Sequence, residues 1–216
     1  MAKVVKITLY PIEELSQKAR DKARAWYRET GFDYDWFDSV FEDFQQVCDT
    51  LGVDLKQSSV RLAGGRTRQE PCIHFTGFWC QGDGACFQGD YAYAPGAHRR
   101  IRAYAPRDAE LHSMADRLRD IQRRYFYALR ADIDHGGHYY HEYSMRICVE
   151  RDDPDYPDIP QNVETAIADV LRDLARWLYR ALRSEYEGLT SDEAIDQAIA
   201  ADGCHFTVDG RRLAAA

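Results

Sequence analysis

The sequence lacks the features that mark membrane, secreted and zinc-binding proteins. None of its apolar runs approaches the roughly 18–20 residues that a membrane span needs. The first residues, Met1 to Lys6, are predicted to form a strand rather than a signal peptide. Six cysteines are present, but no two of them form a C-x-x-C pair, which argues against a zinc knuckle and a secreted disulfide scaffold. We therefore expect a protein of a reducing cytoplasm.

Basic residues are outnumbered by acidic ones. The 216-residue chain has 28 Lys and Arg against 36 Asp and Glu, and its formal net charge is −8. An acidic chain is a poor candidate for direct nucleic-acid binding. An acidic binding surface, which would suit a basic partner or imitate phosphates, is predicted at Asp33, Asp35, Asp38, Glu42 and Asp43. The alternative is a solvated face that contributes only solubility.

The order of apolar patterns predicts the fold class. Apolar residues recur at helical spacing in some segments, and β-branched or aromatic runs broken by glycine indicate strands in others. Helices are predicted from Ile12 to Trp26, Asp35 to Leu51, Leu111 to Tyr125, Pro160 to Gly188 and Thr190 to Ala200. Strands are predicted from Lys3 to Tyr10, from Ser59 to Leu62, in hairpins over Cys72 to Tyr93 and Tyr125 to Glu150, and from Cys204 to Val208; Ala63 to Pro71 and Ala94 to Pro106 are predicted to be loops. This arrangement predicts a single α+β domain over residues 1–216, a mostly antiparallel sheet built from hairpins with amphipathic helices packed on one face.

The hairpin over Cys72 to Tyr93 has a glycine-rich tip, Gln81 to Ala85, and aromatic residues on both arms. A two-residue turn at Asp83-Gly84 would place Trp79 opposite Gln88. A five-residue loop instead makes one face wholly apolar, which cross-strand pairing rewards. It pairs Trp79 with Phe87, Phe75 with Tyr91, Ile73 with Tyr93, Cys80 with Cys86 and Gly77 with Gly89. We prefer this second register.

The run Phe75-Thr-Gly-Phe-Trp-Cys-Gln-Gly-Asp-Gly-Ala-Cys-Phe87 resembles the "SGFWSQGDGASF" signature of a family of phage and prophage proteins, often labelled the antitoxin of a toxin–antitoxin stability system. Further matches lie near Trp26 and Trp36, at His138 to Glu142, at Leu189 to Glu193 and at Phe206 to Gly210. The family pattern commonly has serine where this chain has Cys80 and Cys86, which argues against these cysteines being essential ligands.

The tip Gln81-Gly82-Asp83-Gly84 allows two interpretations. Glycine-rich backbone can cradle a phosphate, but no P-loop lysine follows the tip and Asp83 would repel an anion. One interpretation is a protein-recognition loop that presents Gln81 and Asp83 to a partner. The other is a turn that needs glycine for its positive φ.

The second hairpin carries three histidines around Gly136-Gly137, a dipeptide typical of two-residue turns. Such a turn would pair His135 with His138 and Asp132 with His141. A carboxylate that orients a histidine is the arrangement of a general base, so these four residues are the alternative catalytic site. Because residues 138 and 141 would point to opposite faces of a strand, we expect no zinc site and no cofactor.

The leading functional hypothesis is a phage- or prophage-encoded, non-enzymatic accessory protein of the bacterial host cytoplasm. It would bind and inhibit a bacterial protein or ribonucleoprotein, either a defence complex, as an anti-CRISPR does, or a toxin. The resemblance implies this context, and the acidic surface suits it. The alternative is a small hydrolase or nuclease that uses the His135/His138/His141 hairpin.

Overall fold

The computed structural model describes residues 6–32, 34–61, 64–152 and 158–213. The fold is α+β with antiparallel sheets, as the sequence predicts. The chain divides into two compact units, one formed by the residues up to Phe37 and from Ser184 onward, the other by Asp38 to Arg183. The expectation of one domain over the whole chain stays a prediction. No described helix is long and apolar enough to cross a membrane.

The described helices are α1 (Gln17–Thr30), α2 (Asp38–Leu51), α3 (Ala97–Tyr104), α4 (Ala109–Arg124), α5 (Gln161–Leu189) and α6 (Asp192–Ala201). The described strands are β1 (Val53–Leu55), β2 (Gln57–Arg61), β3 (Thr67–Pro71), β4 (Ile73–Phe75), β5 (Ala85–Phe87), β6 (Gly89–Ala92), β7 (Leu129–His135) and β8 (Met145–Arg151). The five predicted helices correspond to α1, α2, α4, α5 and α6. Predicting loops over Ala63 to Pro71 and Ala94 to Pro106 was wrong, because these segments contain β3 and α3.

Helix ends follow local chemistry. The side chain of Asp108 accepts hydrogen bonds from the backbone N–H groups of Glu110 and Leu111 and caps α4. The Ser191 hydroxyl accepts a hydrogen bond from the Ala194 backbone N–H and caps α6, so the cap lies one residue after Thr190, where the predicted helix begins. Gly52, whose φ is +91°, follows the last residue of α2, Leu51, which is also the predicted end of this helix.

The unit from Asp38 to Arg183 is built on a four-stranded antiparallel sheet in the order β1-β6-β7-β8. Its inner face carries Tyr91, Ala131 and Val149 in register, and all three are buried. From α4, the Gln122 amide donates to the Leu129 carbonyl oxygen at 2.7 Å. The opposite face carries the exposed row Asp90, Asp132 and Cys148. This alternation sets the register of the sheet.

Both predicted hairpin registers are wrong. β5 pairs with β4 so that Ile73 faces Phe87 and Phe75 faces Ala85, and residues 76–84 form the loop between them. β6 joins the four-stranded sheet instead of continuing the hairpin, because Gly89 lies against β1. A Cβ atom at Gly89 would be 2.4 Å from the Asp54 carbonyl oxygen.

In the second hairpin, β7 and β8 pair His135 with Met145 and Asp132 with Cys148. The connection covers residues 136–144, so Gly136-Gly137 is not a two-residue turn. The buried residues Ile133, Met145 and Val149 share the inner face in the observed register, whereas the predicted register, shifted by an odd number of residues, would place Ile133 on the opposite face from Met145 and Val149. The predicted pairs His135/His138 and Asp132/His141 therefore do not exist as cross-strand pairs.

The other unit contains a 3-10 turn (Ile12–Glu14), α1, the last residues of α5, and α6. The buried Arg24 side chain donates from Nε and Nη2 to both carboxylate oxygens of Asp196, at 2.7 and 2.6 Å. The predicted terminal strands are reduced to one bridge between Tyr10 and Phe206. Residues 6–9 are not in a strand, and the predicted strand residues 3–5 lie outside the described residues.

Candidate functional site

Two loops that the sequence singled out touch each other in the structure. We call residues 76–84 and 136–144 together the loop pair. Gly84, which is buried, sits where a Cβ atom would lie 2.8 Å from His141 Cδ2 and 3.0 Å from the Tyr140 carbonyl oxygen. A Cβ atom at Gly82 would lie 3.9 Å from the Tyr139 ring. Only glycine allows the close approach at position 84 without displacing the second loop.

The first loop is folded around the carboxylate of Asp83. Its Oδ2 atom accepts the backbone N–H groups of Trp79 at 2.8 Å and of Cys80 at 2.7 Å. The hydrogen bond from Cys80 lowers the pKa of Asp83 below its ordinary value; desolvation opposes this effect, and hydrogen bonds from Trp79 and Thr76 add to it. Asp83 is therefore an ionised acceptor that fixes the loop's own backbone.

The loop's glycines have separate roles. Gly82 has a φ of +101°, as expected from a turn that needs glycine, whereas Gly84 is required by the approach of His141. Gln81 lies exposed at the tip, where a partner can reach it.

Aromatic packing fixes the base of the first loop. Phe78 packs on Tyr179 of α5 with ring centroids 5.5 Å apart, and the Tyr179 hydroxyl donates to the Gly77 carbonyl oxygen at 3.2 Å. Phe75 packs edge-on against Phe41 of α2 at 6.1 Å. The first loop and the end of β4 that precedes it therefore pack against α5 and α2.

The second loop ends in a 3-10 turn over Glu142–Ser144. The Ser144 hydroxyl donates to the His141 carbonyl oxygen at 2.7 Å, and the His141 N–H donates back to the same hydroxyl at 3.1 Å. At the start of the loop, His135 Nε2 lies 3.0 Å from the Tyr139 carbonyl oxygen. These contacts hold both ends of the loop.

His141 has a carboxylate partner, but it is the adjacent Glu142 rather than Asp132. Nδ1 of His141 lies 2.9 Å from Oε2 of Glu142 and 3.3 Å from the Tyr143 backbone N–H. Nδ1 must donate a hydrogen bond to the Glu142 carboxylate, but it must accept one from the Tyr143 N–H, and it cannot do both. We assign the proton to Nδ1, because the carboxylate contact is shorter and the stronger of the two. Nε2 is then left as a hydrogen-bond acceptor.

Glu142 is buried, and its charge is balanced from α5. Nη1 of Arg176 lies 3.4 Å from its Oε1 atom, and Arg176 also bonds to Asp173, which receives a second bond from Arg117 at 2.6 Å. Burial would raise the pKa of Asp173, but the hydrogen bonds from Arg176 and Arg117 lower it below its ordinary value. Two arginines and two carboxylates thus neutralise one another.

A stack of rings lies beside the loop pair. His74 of β4 stacks on Tyr140 with ring centroids 4.9 Å apart, and His135 lies 5.2 Å from Tyr140 and 6.2 Å from His74. Burial lowers the pKa of His74, and the nearby His135 contributes in the same direction. His74 is therefore favoured in its neutral form.

Three large aromatic side chains of the loop pair point into solvent. Trp79 is 74% exposed, Tyr139 70% and Tyr143 72%. Tyr143 stacks on the His141 ring at 5.5 Å. Trp and Tyr are enriched at interfaces, because an apolar ring can be buried while its polar group still finds a hydrogen-bond partner.

The other predicted catalytic residues do not assemble with His141. Asp132 lies on the open sheet face, where its carboxylate receives a hydrogen bond from Lys56 at 3.1 Å. His138 is exposed within the second loop. Among the described residues, no group of three or more His, Cys, Asp or Glu side chains could hold a metal ion.

The predicted acidic surface is distributed over both units. Asp38 and Glu42 are exposed on α2, while Asp43 is half-buried and accepts a hydrogen bond from the Tyr104 hydroxyl. The expectation that Asp43 is exposed was therefore wrong. Asp35 is exposed in the other unit, and Asp33 lies outside the described residues.

The cysteines supply no reactive group at the loop pair's interior. All six are free. Cys86 pairs with His74 across β4 and β5 rather than with Cys80. Desolvation raises the pKa of Cys86 to about 12, despite hydrogen bonds from Ser144 and at the His141 backbone that lower it. Its thiol is therefore protonated at neutral pH and is a poor nucleophile.

Sequence reasoning missed Glu142, Arg176 and Tyr179 as parts of the site. Glu142 is the sequence neighbour of His141, so a search for adjacent His-Glu pairs would have found it. Arg176 and Tyr179 are three residues apart on α5 and lie on the same side of the helix. Nothing local in the sequence connects Arg176 with Glu142, 34 residues earlier, or Tyr179 with Gly77, 102 residues earlier.

A family model matches most of the chain. It describes a domain of unknown function, DUF8835, and covers residues 36–192. The chain belongs to this family. No curated protein and no solved structure matches it.

Proposed function

We propose that this DUF8835 protein is a non-enzymatic binding protein that attaches to a bacterial protein or ribonucleoprotein through the loop pair and inhibits it. The observation that carries the proposal is the exposure of Trp79, Tyr139 and Tyr143 on two loops that hold each other in place. Trp and Tyr dominate the binding energy of protein interfaces. Their exposure in the free chain is best explained by a partner that covers them.

The fixed loops favour binding. Internal hydrogen bonds to Asp83 and Ser144, together with the close approach at Gly84, order the backbone before any partner arrives. Less conformational entropy is then lost on association. A disordered loop with the same aromatic residues would bind more weakly.

Charge defines the kind of partner surface. Asp38 and Glu42 are exposed on α2, and Phe41, which lies between them in sequence, packs on Phe75 at the base of the first loop. A basic protein surface would complement these acids. The phage or prophage origin, the bacterial cytoplasm and the choice between a defence complex and a toxin rest on the resemblance of the Phe75 to Phe87 run.

Quantitative capture from a bacterial lysate tests the proposal. The test variant combines Trp79→Ala with Tyr143→Ala, and the control is Phe126→Asn. Phe126 is 81% exposed, precedes the opposite end of β7 and has a φ of +54°, which asparagine tolerates. We expect a captured protein to bind the parent and the control equally and to bind the double variant at least about 30-fold more weakly.

Two further measurements bear on this result. Purified partner should show strong salt dependence, and Asp38→Lys with Glu42→Lys should weaken its binding if the acids face it. A partner that binds the Trp79/Tyr143 double variant as tightly as the parent would refute the loop pair as the binding surface.

A second candidate function rests on the 2.9 Å contact between His141 Nδ1 and Glu142 Oε2. This contact could orient His141 as a general base for a hydrolase or nuclease. Incubation with model esters and with single- and double-stranded nucleic acids tests it. Hydrolysis that His141→Gln abolishes and Phe126→Asn retains would favour this function over binding.

A further inference from the structure

The outer edge of the four-stranded sheet is the strand β8, Met145–Arg151. It pairs with β7 without a break in register along all seven residues and contains no proline. Exposed edges of this kind offer a template for another strand unless they are blocked. We propose that two copies of this chain associate through β8, side by side and antiparallel, to form one continuous sheet. This proposal is independent of the proposed function.

The backbone pattern shows which groups are available. Gly136 N–H donates to the Ser144 carbonyl oxygen, and Asp152 N–H donates to the Ala128 carbonyl oxygen. Hydrogen-bonded pairs alternate along an antiparallel ladder, so the even-numbered residues of β8 bond to β7. Ile147 and Val149 therefore direct their N–H and C=O groups outward, where no hydrogen bond from another described residue reaches them.

This alternation restricts the register of a symmetric pair. Outward-facing residues must meet outward-facing residues, so a two-fold axis passes through a residue position of β8 and pairs odd-numbered residues with odd-numbered ones. A centre at Cys148 pairs Ile147 with Val149 of the second copy, and both can exchange hydrogen bonds. The geometry of β8 is thus compatible with self-pairing.

The charges of Arg146 and Glu150 favour one of the allowed positions of the two-fold axis. With the axis at Cys148, Arg146 of each copy faces Glu150 of the other, which gives two oppositely charged cross-strand pairs. A centre at Ile147 would place Arg146 opposite Cys148, and a centre at Val149 would place Cys148 opposite Glu150. Glu150 has no ionic partner among the described residues, whereas Arg146 bonds to Asp134 at 3.1 Å with its side chain 72% exposed. With the axis at Cys148, both Arg146 and Glu150 face an oppositely charged residue of the second copy.

The same register brings two exposed thiols together. Cys148 would face its own copy in a non-hydrogen-bonded pair, where the Cα atoms lie about 4.5 Å apart. This distance is within the range that a disulfide spans. Cys148 and Cys80 are the exposed cysteines of the chain, and the other four are buried. Cys148 is therefore a specific reporter of the pairing.

Sedimentation velocity over a concentration series tests the dimer. A small edge interface predicts a dissociation constant on the order of micromolar. The variant Arg146→Glu would place a glutamate opposite Glu150 in both cross-strand pairs. The like charges should raise the dissociation constant by about tenfold or more. The double variant Arg146→Glu with Glu150→Arg restores opposite charges and should return the constant to within about threefold of the parent. Thermal unfolding of each variant verifies that the fold is kept.

Thiol crosslinking tests the register. Diamide accepts two electrons and two protons from a pair of thiols and leaves a disulfide. We expect it to join two chains of the parent and of Cys80→Ser, but not of Cys148→Ser. A monomer at every concentration would overturn the proposal. So would a dimer that neither responds to Arg146→Glu nor crosslinks through Cys148, or an edge occupied only by a strand of another protein.

Discussion

Gly84→Ala is the most direct test of the loop pair. A Cβ atom at this position would lie 2.8 Å from His141 Cδ2, 3.0 Å from His141 Cα and 3.0 Å from the Tyr140 carbonyl oxygen. Two of these three atoms belong to the backbone, so rotation of the His141 side chain cannot relieve the overlap. The second loop must move, or the first must withdraw.

The expected cost is that of overpacking a close contact. Inserting a methyl group into a tightly packed site destabilises proteins by about 1–3 kcal/mol. At about 2 kcal/mol, the unfolding temperature of a chain of this size would fall by about 4–8 °C. The loops should also exchange their amide hydrogens faster, because the contact that orders them is lost.

Urea unfolding followed by circular dichroism, combined with hydrogen exchange of peptides from both loops, measures these effects. Gly64→Ala is the matched control, because a Cβ atom there would meet nothing within 4 Å. We expect this control to unfold at or slightly above the parent's urea midpoint. If Gly84→Ala were as stable as Gly64→Ala and exchange in residues 136–144 were unchanged, the contact between the loops would be refuted.

Two further predictions follow from the neighbouring titratable groups. Because burial lowers the pKa of His74 below its ordinary 6.5, the unfolded chain takes up this proton at higher pH than the folded chain. The associated stability is complete above about pH 6.5 and is lost as the pH falls below it. The variant His74→Phe keeps a ring beside Tyr140. Its urea midpoint should change less with pH below about 6.5 than that of the parent. If the midpoints of both proteins fell equally with pH, the lowered pKa of His74 would be refuted. For Cys86, a pKa of about 12 predicts that iodoacetamide at pH 8 labels Cys80 and Cys148 first and Cys86 only after unfolding; mass spectrometry of the labelled peptides would reveal early labelling of Cys86.

Five of the described helices were predictable because each has its own periodic apolar face. Val40, Phe44, Val47 and Leu51 of α2 are all buried, and their spacing of three or four residues is visible in the sequence. α3 was missed because it is a single short helix with one buried residue, Ile101. An apolar pattern must extend over more than two helical turns before its spacing distinguishes a helix from a loop.

Strand pairing was not predictable from the turn residues. The predicted register of the first hairpin was preferred because it paired aromatic residues across the two strands. In the structure these aromatic residues do not pair with one another. Phe87 packs on Phe44 of α2, Phe75 packs on Phe41, and Trp79 stays in solvent. Those partners lie 30 or more residues away, and helices rather than the opposite strand decide which aromatic residues are buried.

The site was partly predictable for the same reason. The glycine-rich tip and the histidine-rich loop were both identified from local composition. Their contact through Gly84 and His141 depends on two nine-residue loops, whereas a five-residue loop and a two-residue turn were predicted. Asp83 was predicted to face a partner. Its carboxylate also bonds to two N–H groups of its own loop, so its replacement would alter loop shape as well as surface charge.

The charges around His141 favour recognition over catalysis. A carboxylate raises the basicity of a histidine most when its own charge is uncompensated. Here Glu142 faces Arg176, and Arg176 shares Asp173 with Arg117, so the four groups sum to zero charge. With the Cys86 thiol protonated, the described residues provide no activated nucleophile at this position. The pair is better suited to holding the second loop against α5, which fixes Tyr139 and Tyr143 where a partner can contact them.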